Sequence, residues 1–330
     1  MSELALAIGV EKIPIKDMEK AEWLAERKKS IGGSDMAAVL GLNPYKSAYA
    51  LWAEKTDRVP EFTGNMATKV GLYLEDMVAQ LFTEESGKKV QRTNYIYRNR
   101  AFPWMHASPD RLLVGEKSGL EIKTTSALNL KRFKHGSFPE EYYAQSAHYM
   151  AVLEYDRWYI AVLIGNNQFH IYQLTAIKDD VKPDWCECSL YVDDGEVRAL
   201  IDSARKFYED SMVNDKPPLP DGSESTADTI ATIYADGMDN MVDLTGYERT
   251  IGEMQQIETT IKNLGKRKDA LKQELQCAMG SAERAVCGPY KLSWKNSERR
   301  TFDSKAFIEQ NPGNYEPWYK VSNFRTFRMN

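Results

Sequence analysis

The chain has 330 residues, 42% hydrophobic and 28% charged, a balance typical of folded soluble proteins rather than disordered ones. No apolar run approaches the roughly 20 residues needed to cross a bilayer. The four cysteines form no disulfide framework, and Cys186 and Cys188 have no histidine near them in sequence to make a zinc site. The net charge of −5 is unevenly spread, with 18 acidic and 7 basic side chains in residues 176–250, so any nucleic-acid surface has to be local.

The opening "MSELALAIGVEKIPIK" lacks a basic start and a cleavage site, so no signal peptide is expected and a cytoplasmic protein is. "DMEKAEWLAERKKS" predicts a short amphipathic helix. "SDMAAVLG" predicts a second one, capped by Ser34 and stopped by Gly41. Residues 67–87 predict a longer helix, with Val70, Leu74, Val78 and Leu81 as its apolar stripe and Gly87 as its end. The period then changes to that of strands: "KVQRTNYIYRN", "MHASPDRLLVG" and "GLEIKT", the last two joined by the turn "GEKSG". A helix over "EEYYAQSAHYMAVLE", a hairpin around Gly165-Asn166-Asn167 and a helix over "DDGEVRALIDSARKFYEDSMVND" follow. Trp104 and Trp158 are expected in the core.

Prolines, glycine and serines make Asn214 to Thr229 the best linker candidate. The expected division is therefore residues 1–222 as one domain and 223–330 as a C-terminal extension. In the extension, Met254, Ile257, Ile261, Leu264, Leu271, Leu275 and Ala278 form a coiled-coil-like seam interrupted by Lys268, within 247–279. Gly265 leaves a single helix or a helical hairpin open. A basic, aromatic-rich tail ends the chain.

The chemistry concentrates in Asp110 to Thr124. Side chains alternate along a strand, so Glu121 and Lys123 share one face and Leu120 and Ile122 the other. Pairing Leu113 with Leu120 puts Asp110 opposite Lys123 on the charged face, whereas a slip by one residue moves Asp110 to the other side. Glu-x-Lys alone is more often a surface pair on an edge strand. Asp and Glu oxygens together suit a hard cation such as Mg²⁺, to which the Ile122 carbonyl could add another ligand. Lys123 would help deprotonate and orient a water and stabilise charge on a phosphate. A third carboxylate should come from a helix on this sheet. Glu75, one step off the buried stripe, is the choice, although by itself it reads equally as a solvated helix charge. At the other end, "IGGSD" offers free amides at a helix start, to which Arg27 could add a charged fork. Lys131, Arg132 and Lys134 in "LNLKRFKHG" make a basic run, usually a solvated face. His106, His135, His148 and His170 lack metal-ligand spacing.

"SPD…EIK", the upstream helix glutamate and "QSAHY" together resemble the PD-(D/E)xK nucleases, and more closely the phage-type recombination exonucleases of the lambda exonuclease or YqaJ-like family. "ERKKSIGGSDMAAVLGLNPYKSAYALWAEKT" and "VGLYLEDMVAQLF" match that family's opening, and the likeness covers about residues 20–210. It implies an α/β (α+β) fold, a mixed, mostly antiparallel sheet flanked by helices, with Gln145 beside the phosphate and Tyr149 as packing support. It implies that Arg27, Ser34 and Ser108 hold the 5′ phosphate of a DNA end, and that Lys131, Arg132 and Lys134 touch the backbone. The implied activity is Mg²⁺-dependent hydrolysis of double-stranded DNA ends, 5′→3′, with two metal ions per site for which Mn²⁺ can substitute. The implied setting is a bacterial host cell carrying a phage or prophage. A ring-like homo-oligomer (a trimer in relatives) and a single-strand-annealing recombinase as partner complete the expectation. An endonuclease on the same fold and a non-catalytic DNA-end-binding scaffold are the rivals.

Overall fold

The computed structural model describes residues 9–60, 64–311, 313, 320 and 325–328. The opening eight residues and parts of the basic C-terminal tail lie outside them. Two compact units result, 1–235 and 236–330.

The first unit begins with β1 (Val10–Pro14), α1 (Lys20–Lys28), α2 (Gly33–Val39), α3 (Ala48–Lys55) and α4 (Met66–Ser86). Then come β2 (Val90–Gln91), β3 (Tyr95–Asn99), β4 (His106–Ala107), β5 (Arg111–Leu113) and β6 (Ser118–Thr125). After a 3-10 segment, Ala127–Gly136, the chain forms α5 (Glu140–Leu153), β7 (Arg157–Ile164), β8 (Gln168–Thr175), β9 (Cys188–Tyr191), α6 (Asp194–Phe207) and α7 (Glu224–Ile233). The second unit holds α8 (Glu248–Met279), the hairpin β10 (Arg284–Cys287) and β11 (Tyr290–Ser293), and α9 (Ser304–Gln310). The fold class is mixed α/β, as expected.

The main sheet runs β2-β5-β6-β7-β8-β9 and a smaller one runs β1-β3-β4. The pairings β2·β5, β5·β6 and β7·β8 are antiparallel, but β6·β7 and β8·β9 are parallel. A parallel pair needs a crossover, and α5 supplies it between β6 and β7. It lies on the face of β6 that carries Glu121 and Lys123, whereas α4 covers the Leu120 and Ile122 face with Val78, Ala79 and Phe82. β7 is buried over Trp158–Ile164, as a central strand covered on both faces should be. Trp158 is fully buried, and Gly119 beside it on β6 leaves room for the indole: a Cβ there would stand 2.2 Å from the ring.

Several expectations change. Each of the runs "KVQRTNYIYRN" and "MHASPDRLLVG" splits into two short strands that join different sheets. On α4 the buried face is Val78, Ala79 and Phe82, with Leu74 packed against it, while Val70 is exposed. The cap of α2 is Gly32 rather than Ser34, because the Gly32 N–H is taken by the Asp35 carboxylate at 2.9 Å. The supposed linker holds α7, whose N-cap Ser223 accepts from Thr226 N–H at 3.2 Å. α7 docks on α3, Thr226 Oγ1 donating to Ser47 Oγ at 2.8 Å, so the first compact unit runs past residue 222 to Ala235. α8 is one helix through Gly265, about 48 Å long at 1.5 Å per residue. Ile257, Ile261, Leu264, Leu271 and Leu275 of its seam are exposed.

Gly33 has a packing reason. A Cβ there would lie 2.4 Å from Tyr149 Cε1, and the ring is buried and cannot step aside. The glycine lets α2 approach α5 closely. Gly33→Ala should therefore destabilise the protein by about 1–3 kcal/mol, read as a lower thermal midpoint; an unchanged midpoint would remove this role.

Candidate functional site

β5 and β6 pair Arg111 with Leu120 and Leu112 with Gly119. The face parity is the expected one, but the register lies two residues from the Leu113–Leu120 pairing. The four residues Val114–Lys117, with Gly115 at φ +83°, close the hairpin earlier. Extrapolated past the end of β5, this register sets Asp110 opposite Glu121 rather than Lys123. Asp110 Oδ2 accepts the Ile122 N–H at 2.7 Å. The N–H and C=O of a strand residue point to one edge, so the Ile122 carbonyl also faces the side where β5 has stopped.

Glu121 is buried. Its Oε1 accepts from Lys123 Nζ at 2.7 Å and from Gln145 Nε2 at 2.6 Å. Lys123 Nζ also donates to Gln145 Oε1 at 2.8 Å, closing a three-membered ring of contacts. The crossover makes this possible, because α5 returns over β6 with Gln145 facing down. One turn later Tyr149 stands within 3.2 Å of Gln145 Nε2 and donates its hydroxyl proton to the Ser108 carbonyl at 3.2 Å. Tyr149 thus links the acid–amide cluster to the Ser108 segment as well as packing.

The electrostatics are unbalanced. Burial, then the charge of Glu121, pushes the Asp110 pKa well above the ordinary carboxylate value. Burial raises Glu121 too, and Lys123 only partly offsets this. Burial works against the Lys123 ammonium, but Glu121 and Asp110 outweigh it and hold its pKa above the usual lysine value. The ring of Tyr142 lies 5.3 Å from Lys123 Nζ, adding a cation–π contact. Glu121 Oε2 is buried with no hydrogen-bond partner. An anionic oxygen in that state costs several kcal/mol unless a cation meets it.

Glu75 stands apart. It comes from α4, on the other face of the sheet, and its carboxylate is taken by Arg111, whose second nitrogen reaches Asp76 at 2.6 Å. Arg92 stands 3.6 Å away. Glu75 is close enough for its charge to raise both Asp110 and Glu121. Among the described residues, however, no three carboxylates, imidazoles or thiolates are drawn into a metal-holding cluster. The donors that fit a hard divalent cation here are Asp110, the free oxygen of Glu121 and the Ile122 carbonyl, with Glu75 at the rim. Arg111 lies outside the expected site, since alternation along β5 turns it away from Asp110.

Arg27 and Ser34 lie side by side, Arg27 Nη2 donating to Ser34 Oγ at 3.3 Å. Arg27 stacks on Trp23 at 4.6 Å, and its Nε is buried without a partner, as is Ser108 Oγ. Of the basic run, Lys131 and Lys134 are exposed, whereas Arg132 is paired with Glu141 at 2.7 Å. The histidines behind α2 make a buried set: Ser30 Oγ meets His106 Nδ1 at 2.9 Å, and His148 Nε2 donates to the His106 carbonyl at 2.9 Å.

The family model of the YqaJ-like viral recombinase domain matches residues 22–156. The uncharacterized protein YqaJ of Bacillus subtilis (strain 168) is 36% identical over 316 residues, covering 94% of each chain. The chain belongs to the YqaJ-like family. The segment matched to the YqaJ-like domain contains every residue from Arg27 to Gln145 described above. Among solved structures, an alkaline exonuclease (LHK-Exo) from Laribacter hongkongensis has 18% identity and a TM-score of 0.45, covering 59% of this chain and 94% of that one. A phage related exonuclease from Haemophilus somnus 129PT has 11% identity and a TM-score of 0.39, covering 57% and 96%. No helix among the described residues is long and apolar enough to cross a membrane.

His148 gives this YqaJ-like chain a pH dependence of defined sign. Burial pushes its pKa down from 6.5 to about 4. Between those values the unfolded chain takes up a proton that the folded one refuses, so stability falls as pH falls. In urea titrations at pH 7 and pH 5, His148→Gln should lose less stability than the wild type, by up to about 2 kcal/mol. Equal losses would contradict a neutral buried His148.

Proposed function

We propose that this protein is a metal-dependent deoxyribonuclease acting 5′→3′ from double-stranded DNA ends, in a bacterial cell carrying the phage or prophage that encodes it. One observation carries the reading: the buried Glu121 carboxylate shares its lysine and glutamine partners on one oxygen and leaves the other bare. Two desolvated acids side by side, both shifted toward protonation, make a site that a divalent cation would relieve. Asp110, Glu121 and the Ile122 carbonyl would hold Mg²⁺, with Mn²⁺ able to replace it. Glu75 would join on release from Arg111, giving a second ion its ligand. The metal's contribution is Lewis-acid stabilisation of phosphate charge and activation of water.

The chain's own groups do the rest. Lys123, held beside Glu121, would help deprotonate and orient the attacking water and offset negative charge on the reacting phosphate. Gln145 fixes that ammonium and the Glu121 carboxylate in one geometry through its two amide atoms. Arg27, Ser34 and Ser108 form the 5′-phosphate subsite; the unpartnered Arg27 Nε and Ser108 Oγ support this, because buried donors without acceptors fit an anion. Exposed Lys131 and Lys134, and Arg132 less readily because of Glu141, would touch the DNA backbone. The first compact unit, which takes in the expected domain 1–222 together with α7, would carry the nuclease, and the remainder of the expected extension 223–330 would follow it. The exposed seam of α8 suits a homo-oligomer (a trimeric ring by family likeness) or a single-strand-annealing recombinase.

Glu121→Ala and Lys123→Ala should each lower cleavage by at least about a thousandfold while leaving duplex binding within a fewfold of wild type. Cleavage surviving in both would sink the site assignment. Linear duplex labelled at either terminus should release 5′ label first, and a covalently closed circle should stay intact; nicking of the circle would favour the endonuclease.

A further inference from the structure

Lys55 ends α3 with its side chain only 5% exposed. An ammonium has three protons to give, and here all three are placed. Nζ donates to the Arg27 carbonyl at 3.0 Å and to the Ser30 carbonyl at 2.9 Å, and it pairs with Asp35 Oδ2 at 2.6 Å. The two carbonyls close the end of α1, where backbone acceptors lack helical partners. Asp35 in turn takes the Gly32 N–H at the start of α2. One buried ion pair therefore ties the last turn of α1 to the first turn of α2.

The same joint is gripped from the opposite side. Ile31 N–H donates to the Trp104 carbonyl at 2.8 Å, His106 N–H donates to the Ile31 carbonyl at 2.9 Å, and Ser30 Oγ meets His106 Nδ1. Ser108 follows directly on β4, which carries His106. The three members of the candidate phosphate subsite thus come from α1, α2 and the segment after β4, and each is anchored to this joint. Burial opposes the Asp35 charge, but Lys55 and Arg27 hold its pKa below the ordinary carboxylate value, so the pair stays ionised and internally neutral.

We infer that Lys55 and Asp35 are positioning residues for phosphate recognition: without touching the DNA, they set the α1–α2 joint so that Arg27, Ser34 and Ser108 converge on one terminal phosphate. This rests on the phosphate subsite proposed above. A structural ion pair with no such role would affect stability alone. A positioning pair would affect discrimination between duplexes that carry a 5′ phosphate and those that carry a 5′ hydroxyl.

The test compares KM and kcat on the two duplexes for the full chain, Lys55→Met, Asp35→Asn and a control, Lys46→Met, which removes the separate Lys46–Glu54 pair. The wild type and the control should prefer the phosphorylated end by about tenfold or more in KM. In Lys55→Met and Asp35→Asn the preference should collapse toward one, through KM for the phosphorylated duplex, with kcat on the hydroxyl duplex changed less than about threefold. Asp35→Asn keeps the side chain's shape and its acceptor for Gly32, so it still reports on the pair where Lys55→Met does not fold. Folded variants that retain the wild-type preference overturn the inference. So does loss of folding in both, which would make the pair purely structural. Indifference of the wild type to the phosphate would instead overturn the subsite itself and, with it, this role.

Discussion

Everything at the site depends on how a buried carboxylate is kept. Glu121 sits in the middle of a sheet, between a central strand and a covering helix, where an unpaired anion costs several kcal/mol. Lys123 and Gln145 stabilise one oxygen, and no hydrogen-bond partner among the described residues meets the other. The parallel β6–α5–β7 unit makes this arrangement rigid, because the crossover helix has to lie over the strand whose charged face it covers. Asp110 then adds a second desolvated acid instead of a counter-charge. Under the proposed function, this deficit is what a divalent cation would relieve.

Arg111 is the counterpart at the rim. It holds Glu75 and Asp76 together on the far side of the sheet edge and is itself buried. Glu75 therefore rests in an ion pair rather than beside Asp110. Behind the opposite wall, Tyr149 joins the two halves of the site. It is packed by Gly33, sits near Gln145 and is hydrogen bonded to Ser108. The acid cluster and the Ser108 segment meet through this one ring.

Much of this was readable in the sequence, and the reasons are local. Alternation along "LEIK" placed Glu121 and Lys123 on one face, and the four-residue step from Gln145 to Tyr149 placed both on one helix face. The helices α4, α5 and α6 and the β7–β8 hairpin followed from period and end signals. The failures concern tertiary partners. A strand run says nothing about which sheet will accept it, so the breaks at residues 92–94 and 108–110 were invisible. α7 was hidden by a serine- and proline-rich approach, although Ser223 with Glu224 in the first turn is a serviceable helix start. Gly32 capped α2 in place of Ser34 because Asp35 answers its amide. Arg111 and Lys55 act across the fold on partners 35 or 36 and 20–28 residues away, and no local pattern encodes that.

The most direct measurement of the central claim is metal binding to the protein alone. Mn²⁺ titrated into metal-free protein at neutral pH can be followed as free ion by electron paramagnetic resonance, with thermal unfolding measured on the same samples. Saturable binding and a raised unfolding midpoint are expected in the wild type, with both strongly reduced in Glu121→Gln. A wild type that binds no Mn²⁺, or a Glu121→Gln variant that binds it as well as the wild type, would contradict a site built around a cation.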